Sequence, residues 1–317
     1  SRICYTHGFL LGATFCTLKD HTDTQSAEKM MEYREFGQTG MHLSAVGLGG
    51  LLAKYEAVFG RPPAEEKQRI YRRAAELGVN LFDTGYGDEV DIPDEMRGPG
   101  GDHFFSLKAG VANAADLKDL VEKHLANLRR DTIDILRVHH RDYVGVPEIP
   151  DTIASLRQAG KVRSLCLIRH YEDDQRAYAD TGPEADADAD LVIYNYVCRH
   201  QEPGLQQATA AGKGVLIMKA LGGQWLDWSR QTQTDWSQAT QATILELSPE
   251  GDQLRDNLGL IYPIVSGPWQ ELSGAGQSYP SPNRAVQWVL ENDAVSSCLV
   301  SVASLDELEE TVGSLWP

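Results

Sequence analysis

Polar side chains that could exchange protons stand at the ends of short apolar segments. Asp83, Lys108 and His139 each end an aliphatic or β-branched run of the kind that forms buried strands, and Tyr86 comes three residues after Asp83. A tyrosine hydroxyl can protonate a developing alkoxide, although its ordinary pKa near ~10 makes it slow at neutral pH. A neighbouring ammonium lowers that pKa, and a carboxylate holds the ammonium in place. We therefore predict that Asp83, Tyr86 and Lys108 form the proton-donating group of a carbonyl reduction.

His139 supplies the remaining chemical function. A neutral imidazole can donate a hydrogen bond to the substrate carbonyl and polarise it as negative charge develops. His140 follows directly, and we interpret it as a neighbour of the site. Each of these residues alone would often be structural, but Asp, Tyr, Lys and His from three successive strands share one mechanism. The combination indicates a site built for catalysis.

The elements that must position these residues alternate between strand and helix patterns. Candidate strands span residues 43–50, 79–85, 103–110, 133–139, 162–170, 189–196, 214–221 and 296–302. Helical patterns span residues 64–77, 114–128, 150–158, 171–180, 205–211, 284–291 and 305–312. Eight strands with intervening helices close into a barrel, whereas a doubly wound sheet usually has five or six strands. The sequence therefore predicts an α/β fold, a (β/α)₈ TIM barrel, over residues 31–317, with the active site at the carboxyl ends of the strands.

Three segments depart from this alternation. Residues 85–102 are rich in Gly, Pro and Asp, so one barrel helix should be short or missing. A long loop with several tryptophans, residues 222–283, follows the seventh strand and is either a lid or a cover for the barrel flank. Residues 1–30 contain a short apolar run and form either an N-terminal extension or the remnant of an export signal.

Composition narrows the classes of partner and compartment. Lys and Arg total 29 against 46 Asp and Glu, and this net charge of -17 argues against a nucleic-acid partner. No apolar stretch approaches the roughly 18 to 20 residues that a membrane span needs. The five cysteines lack C-x-x-C spacing, which favours a reducing, cytoplasmic location over a disulfide framework or a zinc site. The oligomeric state stays open.

From Met31 onward the chain resembles the aldo-keto reductase family. The strings that carry the resemblance occur in the family's order: EYREFGQTGMHLSAVGLGG (32–50), AAELGVNLFDTGYG (74–87), IDILRVHHRD (133–142), LRQAGKVRSLCL (156–167), KGVLIMKALGG (213–223), and VQWVLEN to LDELEETV (286–312). The resemblance implies reduction of a small carbonyl substrate with NADPH or NADH. By position, Asp83, Lys108 and His139 match the family's catalytic Asp, Lys and His.

The resemblance also implies how the cofactor is held. It implies an extended dinucleotide bound without a glycine-rich turn, in agreement with the lack of a G-x-G-x-x-G string. The cofactor residues that it implies lie at strand ends and near the last helix: His170, Asn195, Met218, Lys219, Leu221, Ser301 and Glu310. Members of the family that prefer NADPH place a Lys and an Arg around the 2′-phosphate. Ser301 and Glu307 stand there instead, and an acidic Glu307 would repel a phosphate and favour NADH.

Departures from the family pattern support alternative functions. The family separates its catalytic Asp and Tyr by five positions, whereas Tyr86 follows Asp83 by three, and the fifth strand ends in Ile168-Arg169-His170 in place of a Ser-Asn pair. One alternative is therefore a barrel that binds a cofactor or ligand without turnover. Another is a metal-dependent hydrolase, which is weaker because the first strand ends in glycines (Gly47, Gly49 and Gly50) and lacks an H-x-H pair. We expect no metal ligand set.

Overall fold

The computed structural model describes residues 31–50, 62–85, 89–99, 102–110, 113–196, 198–221, 272, 282–302 and 304–315. Its strands are β1 Tyr33–Glu35, β2 His42–Ser44, β3 Val46–Leu48, β4 Leu81–Thr84, β5 Phe104–Ala109, β6 Ile133–His139, β7 Val162–Arg169, β8 Ala189–Ile193, β9 Gly214–Met218 and β10 Ser297–Val300. Its α-helices are α1 Ala64–Glu76, α2 Ala114–Leu128, α3 His140–Gly145, α4 Glu148–Gln158, α5 Glu172–Thr181, α6 Glu202–Ala210, α7 Pro282–Leu290 and α8 Leu305–Leu308.

Strands β3 to β10 form a closed parallel barrel. Each strand pairs with its sequence neighbours, and β10 closes the ring by pairing with β3. Every one of the eight candidate strand segments contains one barrel strand, so the predicted (β/α)₈ barrel is confirmed. The antiparallel hairpin β1-β2 precedes the barrel.

Side-chain alternation separates the inside of the barrel from its outer wall. In β5 the side chains of Phe105, Leu107 and Ala109 are buried, and the latter two belong to a cluster with Leu117 and Val121 of helix α2. Because successive side chains of a strand point to opposite faces, Ser106 and Lys108 face the interior. The interior is filled by aliphatic residues and is covered at the hairpin end by Phe36, Met41 and Leu43.

Helix boundaries follow the expected capping signals. The Asn113 side chain accepts a hydrogen bond from the Asp116 backbone N–H at the start of α2, and Ser304 does the same for the Glu307 backbone N–H at the start of α8. Gly78, Gly160 and Gly212 follow helices with positive φ angles of 89°, 73° and 67°. These caps set where the chain turns back toward the next strand.

Three regions complete the comparison of the fold with the sequence prediction. Helix α3 begins directly at His140, where no helix is predicted. The described part of residues 85–102 holds only two short 3₁₀ turns, Glu89–Asp91 and Asp94–Met96, as expected of a missing barrel helix. Residues 1–30 and almost all of the loop after strand β9 lie outside the described residues. No helix in the described ranges is long and apolar enough to cross a bilayer.

Candidate active site

The three catalytic candidates that the structure describes lie on consecutive strands at one mouth of the barrel. Asp83 is near the end of β4, Lys108 near the end of β5 and His139 at the end of β6. The Asp83 side chain is almost fully buried, while Lys108 and His139 are half-buried. Each is inward-facing by the alternation of its strand.

His139 is held in its neutral form. Burial of the ring, together with the positive charges of Lys108 and Arg141, lowers the pKa of His139 to about 4. Lys108 and His139 lie at the ends of paired strands, at the same mouth of the barrel. A neutral imidazole carries one N–H and can donate one hydrogen bond to a substrate oxygen near neutral pH.

A buried arginine that the sequence pattern did not indicate as a site residue contacts Asp83. Arg137 is 1% exposed, and its Nη2 pairs with the Asp83 Oδ1 atom. The same Nη2 donates a hydrogen bond of 3.2 Å to the Thr84 carbonyl oxygen. Its signal in the sequence is position, because Arg137 precedes His139 by two residues in a strand and therefore faces the same side.

The turn that follows Asp83 lies directly on Lys108. Gly85 has a φ angle of +98°, and a Cβ atom there would lie 2.4 Å from the Lys108 carbonyl oxygen. Glycine is therefore required both by the backbone conformation and by the close approach. The Gly85 N–H donates to the Glu89 carboxylate, which fixes the turn from its other end.

Tyr86 itself lies outside the described residues. Its role as proton donor stays a prediction. Hydrogen bonds hold the described end of β4: Thr84 accepts from the His124 Nε2 atom at 2.8 Å and donates to the Ser106 carbonyl at 3.0 Å. This network anchors the end of the strand that carries Asp83.

Aromatic side chains surround His139 at the mouth. The rings of His139 and Tyr171 are 5.2 Å apart between centroids, and those of His139 and His170 are 6.2 Å apart. The Arg141 guanidinium lies 3.4 Å from the centroid of the Tyr171 ring. The mouth thus offers a second phenol and a cation close to the predicted carbonyl position.

His140 lies on the outer side of the barrel. Its Nδ1 atom is 3.0 Å from an Asp174 carboxylate oxygen, and its Nε2 atom is 2.8 Å from a Glu184 carboxylate oxygen. Two carboxylates therefore bind the ring between the barrel and helix α5. This position separates His140 from the inward-facing residues of the site.

The candidate cofactor residues lie at the carboxyl ends of the later strands. The Asn195 amide, which is buried, donates to the Lys219 carbonyl oxygen at 3.0 Å and accepts from the Cys198 N–H at 2.8 Å. This contact holds Lys219 at a positive φ of 63°, an uncommon angle for a residue with a side chain. Met218 is the last residue of β9, and Leu221 follows that strand. His170 follows β7. Ser301 and Glu310 come after β10 and are exposed.

The polar groups at these strand ends are of the kind that can bind a dinucleotide. An amide, an ammonium and a hydroxyl follow one another on the ends of β8, β9 and β10, which gives hydrogen-bond donors along one side of the mouth. Gly49 leaves room beside Ser301, since a Cβ at Gly49 would lie 2.8 Å from the Ser301 hydroxyl. Among the residues with assigned positions, no three His, Cys, Asp or Glu side chains are grouped to hold a metal ion.

Comparison with known proteins identifies the family. A family model described as "Aldo/keto reductase family" matches residues 108–316. The chain is 24% identical over 312 residues to L-galactose dehydrogenase of Arabidopsis thaliana, covering 90% of this chain and 88% of that protein. It is 25% identical over 327 residues to a putative voltage-gated potassium channel subunit beta of Schizosaccharomyces pombe, covering 91% and 89%.

Solved structures share the fold. Aldo-keto reductase AKR11C1 of Bacillus halodurans, in its holo form, superposes with a TM-score of 0.63 at 18% identity and covers 90% of this chain and 91% of its own. The match to the family model spans most of the chain, begins at Lys108 and includes the whole of strand β6, which carries His139. This chain therefore belongs to the aldo/keto reductase family.

Proposed function

We propose that this chain reduces aldehydes or ketones to alcohols with NADH or NADPH. The observation that carries the proposal is the neutral, inward-facing His139 beside Lys108 and the buried Asp83, at the carboxyl end of a barrel of this family. Membership of this family supports an oxidoreductase activity. The side chains of the site can provide the functional groups that carbonyl reduction needs.

The reaction needs a hydride, a proton and a group that orients the carbonyl. A nicotinamide cofactor, when bound, would supply the hydride. Tyr86 donates its hydroxyl proton to the carbonyl oxygen, and the Lys108 ammonium stabilises the phenolate left behind. Asp83 keeps Lys108 ionised and in place. His139 donates a hydrogen bond to the same carbonyl oxygen, which stabilises the charge that develops on it.

The cofactor residues that we propose are His170, Asn195, Met218, Lys219, Leu221, Ser301 and Glu310. Asn195 acts through the Lys219 backbone, which it holds in position. The Bacillus halodurans reductase that shares this fold is described as a holo form, which supports the proposal that this barrel binds a cofactor. We propose a preference for NADH, because Glu307 would repel the 2′-phosphate of NADPH.

The substrate class is a small carbonyl compound or its alcohol. The Arabidopsis relative is named as a dehydrogenase of L-galactose, which places sugars among the compounds to test and oxidation among the directions to test. Polar groups at the mouth, including His170 and Arg141, suit a substrate with several hydroxyls.

The test follows nicotinamide absorbance in both directions with a panel of aldehydes, ketones and aldoses. Purified protein should consume NADH with at least one carbonyl substrate, or form it with the corresponding alcohol. Y86F should lower kcat by a factor of about 10² to 10⁴. Y171F is the matched control, since it removes the other phenol near His139, and it should keep most of the activity. Failure of all substrates in both directions would overturn the proposal.

The second candidate is a barrel that binds cofactor without turnover. The short spacing between Asp83 and Tyr86 favours it, and one relative is named as a channel subunit. Titration of cofactor fluorescence separates the two candidates. Tight binding together with no reduction or oxidation of any substrate would select the second candidate.

A further inference from the structure

An arginine stacked on an aromatic ring lies beside His139 at the mouth of the barrel. The Arg141 guanidinium is 3.4 Å from the centroid of the Tyr171 ring, and the centroid of that ring is 5.2 Å from the centroid of the His139 ring. A cation is attracted to the face of an aromatic ring, and a flat guanidinium can stack on it. Tyr171 therefore holds the charge of Arg141 close to the residue that we propose to orient the substrate carbonyl.

The guanidinium of Arg141 can donate hydrogen bonds to a ligand. Its side chain is 50% exposed, and its ion pair with Asp142 joins Nε to Oδ1 at 3.8 Å, which is longer than a hydrogen bond. A second carboxylate of this region, that of Asp174, contacts the Nδ1 atom of His140 on the outer side of the barrel. These two contacts leave the N–H groups of Arg141 accessible to an acceptor on a bound molecule.

The charge of Arg141 favours a negatively charged group on such a molecule. After burial and Lys108, it is the next cause of the low pKa of His139, because a positive charge opposes protonation of the ring. The same charge would attract an anionic group on a ligand bound at His139. A carboxylate matches a single guanidinium, since its two oxygens can accept from two parallel N–H groups.

We propose that Arg141 binds a carboxylate of the substrate while His139 donates a hydrogen bond to its carbonyl, so that the enzyme prefers short carbonyl compounds that carry an acid group. The inference rests on the proposed function and narrows its substrate class. Because Tyr171 lies between the guanidinium and the His139 ring at short distances from both, a chain of a few carbon atoms is long enough to join the two groups. A neutral carbonyl compound lacks the contact with Arg141.

A pair of matched substrates measures the contribution of the acid group. Succinic semialdehyde and its methyl ester share the aldehyde and the carbon chain that joins it to the acid, so the ratio of their kcat/KM values isolates the effect of the carboxylate. Wild type should prefer the acid over the ester by about tenfold or more, and R141Q should bring the ratio close to one. R141K keeps the charge but lacks the planar fork, so it should keep part of the preference.

The matched control is R163Q. Arg163 is an exposed arginine that also lies over an aromatic ring, 5.9 Å from the centroid of Phe104, but it stands at the start of β7, whereas Tyr171 follows the end of that strand. R163Q removes the same charge from the protein and should keep the wild-type ratio. Equal kcat/KM values of wild type for acid and ester, or an equal fall of the ratio in R141Q and R163Q, would overturn the inference.

Binding of the corresponding alcohol gives a readout that needs no turnover. The NMR signals of the His139 ring follow a titration with γ-hydroxybutyrate in the presence of NADH, and because both molecules are in the reduced form no reaction occurs. R141Q should weaken this binding by about tenfold or more, and R163Q should leave it unchanged. That result in a protein that turns over no substrate would support the Arg141 site while the proposed function fails. Equal affinities of wild type and R141Q, or no binding to wild type, would overturn the inference.

Discussion

Asp83 pairs with Arg137 inside the barrel, and Arg137 is in turn the Cα partner of Lys108. The Asp83 carboxylate thus pairs with a buried cation whose strand neighbour is the half-buried Lys108. This ion pair links β4 to β6 and makes the ionised state of Asp83 a structural requirement.

Buried His124 should make stability depend on pH. Burial lowers the pKa of His124 to about 4, against 6.5 in the unfolded chain. Between these values the unfolded state binds more protons at this ring, so its contribution to the free energy of unfolding falls as the pH is lowered through that window. H124Q removes the titrating ring, so this pH-dependent contribution to stability disappears. The glutamine side chain can still form a hydrogen bond with Thr84.

Chemical denaturation of wild type and H124Q at pH 7 and pH 4.5 measures this effect. Wild type should lose stability relative to H124Q on acidification, by up to about 3 kcal/mol since one pKa unit corresponds to about 1.4 kcal/mol. If the difference in free energy of unfolding between wild type and H124Q were the same at both pH values, the His124 ring would not be held neutral in the folded protein.

The buried pair of Arg169 and Asp190 should be sensitive to removal of one partner. Their side chains are 2.7 Å apart at Arg169 Nε and almost fully buried. D190A leaves the guanidinium without its counter-ion and should lower the free energy of unfolding by about 3 to 5 kcal/mol. E122A breaks the exposed pair with Lys161 and should cost less than about 1 kcal/mol. Urea denaturation measures the free energy of unfolding of D190A and E122A. Similar losses of stability in the two variants would contradict the view that, of these two pairs, only the Arg169–Asp190 pair is buried.

Gly85 should tolerate no side chain. G85A forces a Cβ against the Lys108 backbone at a positive φ, so we expect the free energy of unfolding to fall by about 1 to 3 kcal/mol and kcat to fall because Lys108 is displaced. G110A is the control, because a Cβ at Gly110 would meet nothing within 4 Å. Thermal denaturation and kcat of both variants check this, and equal behaviour of the two would contradict it.

Much of the architecture is readable from the sequence. All eight barrel strands follow from aliphatic runs, and the caps at Asn113 and Ser304 follow from local side-chain chemistry. These features depend on near neighbours in the chain. Helix α3 was missed because its short segment after His139 has no apolar repeat long enough to show a helical period.

The site is less readable, because its electrostatics depend on residues far apart in the chain. The positions of Asp83, Lys108 and His139 at strand ends follow from the pattern alone. The pairing of Asp83 with Arg137 depends on the register between strands, which no local signal sets. The two carboxylates that bind His140 come from helix α5 and the loop after it, which the sequence does not bring together.

Cofactor preference should reverse when charge near the last helix reverses. Glu307 is half-buried in the first turn of α8, whose cap is the Ser304 side chain. E307R replaces a group that repels a phosphate with one that attracts it, and should improve the affinity for NADPH relative to NADH by about tenfold or more. Fluorescence titration with both cofactors measures the ratio. An unchanged ratio would place the 2′ end of the cofactor elsewhere.

The most direct measurement compares wild type with K108M in the assay of nicotinamide absorbance with the carbonyl and alcohol panel, alongside cofactor titration of both proteins. Lys108 is predicted to support the proton transfer, so K108M should bind cofactor with similar affinity but lose at least about 100-fold in kcat/KM. Equal rates in the two proteins, or no turnover by wild type in either direction, would contradict the assignment of this site to carbonyl reduction.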